Sequence, residues 1–326
     1  YEALKKGKIK FAIGTHALLQ DKVQMKNLGL LVVDEQHRFG VQQRQALLKS
    51  TGHVPHVLSM TATPIPRSLA LTLYGELDIS LLDDMPPGRK PIITTLVSPN
   101  SRDKMEQHIN NEIIKGHQVY VVCPVINEET KLETISAEAM FNKLSTNAFK
   151  DKKVGLLHGK LKTEEKIRVM EQFIAKKLDI LVATTVIEVG VNVSNATVIV
   201  IEGAERFGLA QMHQLRGRVG RSTDQGYCYA VPSDSKAPSK RLRALVQSTD
   251  GFRLAELDLE IRGPGAIYGT LQHGELDLRF ANFSDYVLIN KVRTAVQEFI
   301  KSDLLLKNYP ELARRVRRAQ AVITLN

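Results

Sequence analysis

The stretch Leu28-Gly29-Leu30-Leu31-Val32-Val33-Asp34-Glu35-Gln36-His37 runs from a continuous apolar segment straight into two acids. Such a run, short and apolar on both alternating faces, predicts a strand of a parallel sheet covered by helices on both sides. The carboxyl end of a strand of this kind is where open α/β sheets bind ligands. Two acids placed there suit a nucleotide site: Asp34 to hold Mg2+ through water, Glu35 to orient and deprotonate an attacking water. For an isolated Asp-Glu pair a solvated turn is the plainer reading. The preceding strand, together with His37 at the fourth position, weighs for the site.

Five more runs have the same character: Val119–Val125, Val154–Leu157, Ile180–Ala183, Val198–Ile201 and Tyr227–Val231. Helical periods lie between them. Met105, Ile109 and Ile113 step by four towards a stop at Gly116, and Ile167, Met170 and Ile174 follow a polar opening at Thr163. Strand and helix alternating over this length imply a doubly wound α/β architecture. Asp83-Asp84-Met85-Pro86-Pro87-Gly88-Arg89 breaks the pattern and reads as an interdomain linker. After Pro232 the pattern turns helical at 238–247 and 283–301, the second with Leu288, Val292, Val296 and Ile300 on one stripe. A turn-rich segment with Gly263-Pro264-Gly265 separates the two. Three parts follow, at 1–84, 85–232 and 233–326.

Composition narrows the function classes. The chain has 326 residues, 43% hydrophobic and 25% charged, which excludes disorder and leaves room for more than one core. No apolar run reaches the ~18 residues of a membrane span, so no membrane partner is expected. Cys123 and Cys228 are too few for a disulfide framework, so a reducing, cytoplasmic setting fits. A net charge of +10, spread along the chain, favours a polyanionic partner only weakly. The chain opens at Tyr1 without a signal-peptide pattern, as a piece of a longer polypeptide would.

Three further constellations carry chemistry. Met60-Thr61-Ala62-Thr63-Pro64 follows Val57-Leu58-Ser59; Thr61 and Thr63 can bond a neighbouring carboxylate and a ligand together, or simply begin a helix. Ala183-Thr184-Thr185 leaves another strand and reaches Gly190, where a ribose or a nucleic-acid backbone can approach. In Gln214-Leu215-Arg216-Gly217-Arg218-Val219-Gly220-Arg221, the arginines at 218 and 221 share a helix face and match the charge of a transferring γ-phosphate. Read alone, they fit a basic turn facing nucleic acid equally well. His158-Gly159 is weaker, and no GxxxxGK[ST] phosphate loop occurs in the sequence.

Acid pair, TAT turn, ATT strand end and paired arginines stand in the order of a superfamily 2 helicase motor. DEQHRFGVQQR (Asp34–Arg44), MTATPIPRSLALTLYGELD (Met60–Asp78), MPPGRKP (Met85–Pro91), LVATTVIEVGV (Leu181–Val191), ERFGLAQMHQLRGRVGR (Glu205–Arg221) and DLEIRGPG (Asp258–Gly265) together resemble the bacterial RecG family of branched-DNA translocases. A rival family, the transcription-repair coupling factors, tends to carry Glu where Gln36 stands and to lack the Gly-Pro-Gly turn.

That resemblance implies RecA-like doubly wound sheets, one partial and one complete, followed by a mostly helical carboxyl-terminal element. It implies ATP and Mg2+ as cofactors, with Asp34 as the metal residue and Glu35, Gln214, Arg218 and Arg221 as the catalytic ones. Nucleotide contacts go to Asp34, His37 and Gly190. Contact with DNA, or its coupling to the nucleotide, goes to Thr15 and His16 of a Gly-Thr-His motif, to Thr61, Thr63 and Thr184, and to Arg241, Arg262 and Gln272 of a translocation motif. Asn192 stands where the family has Asp. The implied partner is branched double-stranded DNA at forks and Holliday junctions, with single-stranded-DNA-binding protein as an accessory. The implied protein is a monomer acting in the cytoplasm at the nucleoid. The family's phosphate loop and wedge domain have no counterpart in these residues, so the chain alone is expected to be inert as an ATPase. A non-catalytic DNA-binding module with a motor-like fold is the alternative of a different class.

Overall fold

In the computed structural model, residues 1–19, 23–35, 55–62, 78–82, 84–124, 137–185, 193–233, 238–262, 286–303 and 305–324 are described. The chain divides into two compact units, Tyr1–Pro64 and Ile65–Asn326.

The first unit opens with a helical turn, α1 (Glu2–Lys5), and holds two parallel strands, β1 (Leu30–Val33) and β2 (His56–Ser59). The register pairs Leu30 with His56 and Val33 with Ser59, so both strands end at one edge. Met60 N–H continues the ladder to Val33 O (2.8 Å).

The second unit is built on six parallel strands in the order β3-β8-β7-β4-β6-β5. These are β3 (Ile93–Leu96), β4 (Gln118–Val122), β5 (Val154–Leu157), β6 (Ile180–Ala183), β7 (Ala196–Glu202) and β8 (Tyr227–Val231). Every strand from β4 onward lies on one of the apolar runs of the sequence. β3 does not: its Thr94 and Thr95 interrupt the apolarity, and it is an edge strand whose Ile93 is 51% exposed.

Alternation along the central strands sorts the core into two layers. Val119, Val121, Ile180, Val182, Val198 and Val200 face α2 (Arg102–Ile114), through Met105, Ile109 and Ile113, and α3 (Ala137–Lys143), through Met140. Tyr120, Val122, Leu181, Ala183, Ile199 and Ile201 face the other way. There they meet α4 (Thr163–Ile174), α5 (Leu209–Arg216), α6 (Lys240–Gln247) and α7 (Gly251–Arg262). The sheet is therefore doubly wound, as the sequence predicts. The α2 stripe ends as expected at Gly116, whose φ is +87°.

The stripe expected on α4 differs. Ile167 and Ile174 are half exposed, whereas Phe173 is fully buried, with Val169 and Met170 packed beside it. Two faces of this helix share Met170, and the aromatic ring with its larger apolar area takes the core. Phe173 lies 5.0 Å, centroid to centroid, from Tyr120.

Beyond α7 come α8 (Tyr286–Ser302) and α9 (Pro310–Thr324). Leu288, Val292, Val296 and Ile300 do form one stripe of α8, and it is exposed. On α9, Arg314 and Arg315 pair with Glu311 at 3.0 and 3.6 Å, as a solvated helix face would. Among the described residues, no helix is long and apolar enough to cross a membrane. Both cysteines are free and buried, and burial pushes each thiol up to about 12.

At the amino-terminal edge of the large sheet a buried acid holds three elements together. Glu112 accepts hydrogen bonds from Lys115 Nζ (2.7 Å), His117 Nδ1 (2.8 Å) and Thr197 Oγ1 (3.3 Å). Burial raises the Glu112 carboxyl; the bonds from Lys115 and His117 outweigh it, so the net shift is downward. A carboxylate lowered by folding stabilises the fold above its unfolded pKa and loses that contribution as pH falls through the folded value. Glu112→Ala is expected to cost about 1–3 kcal/mol at pH 7, the usual range for orphaned buried partners. The loss should shrink below pH 4, and unfolding curves of mutant and wild type at pH 7 and pH 3.5 check it. A pH-independent difference would refute the role.

Candidate nucleotide and DNA site

In the first unit the parallel register sets Asp34 and Met60 beside each other at one strand edge, so the acid pair and the Thr61 turn leave the sheet as neighbours. Asp34 Oδ1 accepts the Glu35 N–H (2.9 Å). Glu35 itself is half-buried with φ at +51°, a left-handed conformation that costs a residue with a Cβ about 1–2 kcal/mol. Non-glycine residues rarely hold this conformation, and here the chain adopts it two residues after β1 ends. Among the described residues no group of three or more His, Cys, Asp or Glu is arranged to hold a metal ion. A divalent cation here would rest on Asp34 together with phosphate oxygens and water, which is the donor set Mg2+ prefers.

Thr15 is exposed and precedes the short 3-10 turn His16–Leu19, with Leu18 N–H bonded to Thr15 O (2.9 Å). His37 and Thr63 lie outside the described residues, as do Gly190, Asn192 and Gln272.

In the second unit, Thr184 is half-buried at the carboxyl end of β6, its N–H on Leu157 O (3.2 Å). His158 leaves β5 at the same edge. Gln214, on α5, and Arg218 and Arg221, in the loop after it, are all half-buried. Arg221 Nε donates to Gly217 O (3.0 Å), which folds the side chain back along its own loop. Burial lowers the Arg221 pKa, and repulsion from Arg218 and Arg89 lowers it further. Both arginines also act on the Tyr120 phenol, which burial holds up at about 12 against their pull. The pair thus gathers over the sheet face that carries Tyr120.

Arg241 forms an ion pair: its Nε lies 3.4 Å from Asp258 Oδ1, which links α6 to α7. Arg262 is the last residue of α7.

Arg216 is the residue that the sequence reading passed over. It is 3% exposed. Its Nη1 donates to Leu245 O and Ser248 O (2.8 Å each), and its Nη2 to Thr249 O (3.2 Å) and His213 Nδ1 (2.9 Å). These carbonyls are the orphan groups at the negative end of α6 and in the turn before α7. One guanidinium therefore pins the α6–α7 hairpin to the helix that precedes Arg218 and Arg221. The signal was available: Arg216 falls in phase with the buried Leu209 and Met212, a charge on an apolar stripe.

Comparison with known proteins bears on this arrangement. The DEAD/DEAH box helicase family matches residues 1–72 and the helicase conserved C-terminal domain matches 101–223. The family of ATP-dependent DNA helicase RecG, domain 3, C-terminal matches 248–321. The chain is 49% identical over 323 residues to the ATP-dependent DNA helicase RecG of Aquifex aeolicus, across 96% of this chain and 40% of that protein. It is 47% identical to that of Staphylococcus aureus, across 94% of this chain and 45% of that one. A solved structure of RecG bound to a three-way DNA junction is 46% identical, with a TM-score of 0.65 over 82% of this chain and 34% of that chain. The chain thus spans about two fifths of the length of the curated relatives it matches.

Proposed function

Since the chain belongs to the RecG family of ATP-dependent DNA helicases, we propose that it is the carboxyl-terminal motor portion of a translocase that remodels branched double-stranded DNA. The observation that carries the reading is continuity. The 49% identity to the Aquifex aeolicus relative is spread over 96% of this chain, and 248–321 matches a family defined on RecG itself.

In this reading residues 1–84 are the rear of one RecA-like domain, 85–232 a complete second one, and 233–326 the translocation element. Glu35 orients and deprotonates the water that attacks the γ-phosphate, and Arg218 and Arg221 meet the charge that builds there, with Gln214 beside them. Asp34 holds Mg2+, which supplies charge neutralisation on the phosphates when bound. Thr61, Thr63 and Thr184 relay nucleotide state, and His37 and Gly190 line the nucleotide. Thr15 and His16 touch a DNA strand. Arg241 braces the hairpin through Asp258, while Arg262 and Gln272 carry the push on duplex DNA. The setting is the cytoplasm and the nucleoid. The protein acts as a monomer, with single-stranded-DNA-binding protein as an accessory.

The test uses the intact protein with ATP on a synthetic fork, a linear DNA duplex and an RNA duplex. Fork remodelling well above both alternatives is expected, with fork DNA outcompeting RNA for binding. Residues 1–326 alone should hydrolyse ATP at background rate, because no phosphate loop is in the sequence. Equal action on RNA, or full turnover by residues 1–326, would overturn the reading.

A further inference from the structure

The segment that leads into β3 makes a tight turn. Arg89 N–H donates to Pro86 O (3.2 Å), with Pro87 and Gly88 between them. Pro87 fixes φ at the second position, and Gly88, at φ +80°, supplies the left-handed third position of a type II turn. The turn sends the half-buried Arg89 side chain to the loop after α5, where Nε donates to Gly220 O (3.0 Å). Two bonds further along fasten the same pair of segments: Gln225 Nε2 to Pro91 O (2.7 Å) and Ile93 N–H to Gly226 O (2.9 Å). The loop has no slack of its own at this point. Gly220 has φ +62°, and a Cβ on Gly226 would meet Gly220 Cα at 2.9 Å.

The carbonyl that Arg89 grips therefore belongs to the residue immediately before Arg221, three positions from Gly217, on which Arg221 folds back. A backbone oxygen satisfies one donor of Arg89 without neutralising its charge. Arg221 lies within electrostatic reach of both Arg218 and Arg89. Its guanidinium is repelled by both neighbours, and a phosphate brought to it relieves that repulsion.

We propose that Arg89 is a positioning residue for the arginine pair: by holding Gly220 O it sets the height of the loop that carries Arg218 and Arg221, and it ties that loop to the Pro86–Arg89 turn. The proposal rests on the reading of Arg218 and Arg221 as γ-phosphate ligands. It extends that reading to a residue whose place in the sequence, 131 positions away, gives no hint of the contact. A displaced loop weakens contacts made only as the phosphoryl group transfers, so turnover should suffer and ground-state binding should not.

The test is DNA-stimulated ATPase of the intact protein. Arg89→Met keeps the stem and removes the donors; kcat should fall roughly tenfold or more with KM for ATP within about twofold, as misplacement of a catalytic group does. Affinity for ADP with aluminium fluoride should fall by a similar factor, and affinity for ADP alone should hold. Arg89→Lys, whose ammonium reaches the same carbonyl, should recover most of the turnover. The double variant R89M/R221A should be no slower than R221A, since both changes act through one loop. If R221A itself keeps normal turnover, the nucleotide reading falls. If R221A is inactive while R89M turns over normally, or if R89M acts only on KM, the positioning role alone falls.

Discussion

Glu35→Gln in the intact protein is expected to reduce DNA-stimulated ATP turnover by about 10²–10⁴-fold, the usual contribution of a positioned general base. Affinity for forked DNA should stay within about twofold of wild type, because a neutral isostere changes little that a distant surface feels. The structural basis is the end of β1. Asp34 caps the Glu35 N–H with its own carboxylate, and Glu35 adopts φ +51° as the chain leaves the sheet. Gln matches Glu in shape, so its amide can occupy the carboxylate's place without its charge. Gln can still orient a water but cannot take its proton, which separates the two parts of the proposed role. Steady-state ATPase and a gel-shift titration on the same preparation decide the matter. Retained turnover with lost DNA binding would remove Glu35 from the chemistry and return the acid pair to a structural turn.

That acid pair was legible because the run before it, Leu30–Val33, is apolar without interruption and the acids begin where it stops. The same reasoning found β4 to β8, whose continuous apolarity reflects helices on both faces. It missed β3, where two threonines on a half-exposed edge leave no run to detect. On α4 the helix was legible and its buried face was not: Ile167, Met170 and Ile174 make as good a stripe as Val169, Met170 and Phe173 until packing against Tyr120 chooses. Arg241 was legible as a polar residue of interest, but its ion pair with Asp258 needs the geometry of the hairpin. Arg216 and Arg89 show the limit most sharply. Both act on backbone carbonyls, which every residue possesses, so no partner residue type marks them in a sequence.

Arg216→Met should destabilise the second unit by about 2–4 kcal/mol, because the hydrogen bonds of a buried charge vanish and three carbonyls are left in a dry site. A hydrophobic replacement can rescue a buried ion pair when both charges go; here the partners are Leu245 O, Ser248 O and Thr249 O, which no side-chain substitution removes. Arg216→Lys should recover only part of the loss, since one ammonium cannot span carbonyls that a planar fork reaches from two nitrogens. His213 adds a pH signature. Burial first, and the Arg216 charge second, push its pKa down to about 4, so the folded imidazole stays neutral and accepts from Nη2. A base depressed by folding contributes stability that is present above its unfolded pKa of 6.5 and lost as pH falls towards 4. The wild-type unfolding midpoint should therefore decline between pH 6.5 and 4, and Arg216→Met should decline less steeply, because the repulsive charge is gone while the burial remains. The functional consequence separates bracing from mere stability. Below the mutant's melting temperature, ATPase should persist while fork remodelling drops, since the α6–α7 hairpin is no longer fixed to the helix that leads into Arg218 and Arg221. An unchanged midpoint would mean that Leu242, Leu245 and Leu254 hold the hairpin without help; unchanged coupling would mean that the push on DNA travels by another route.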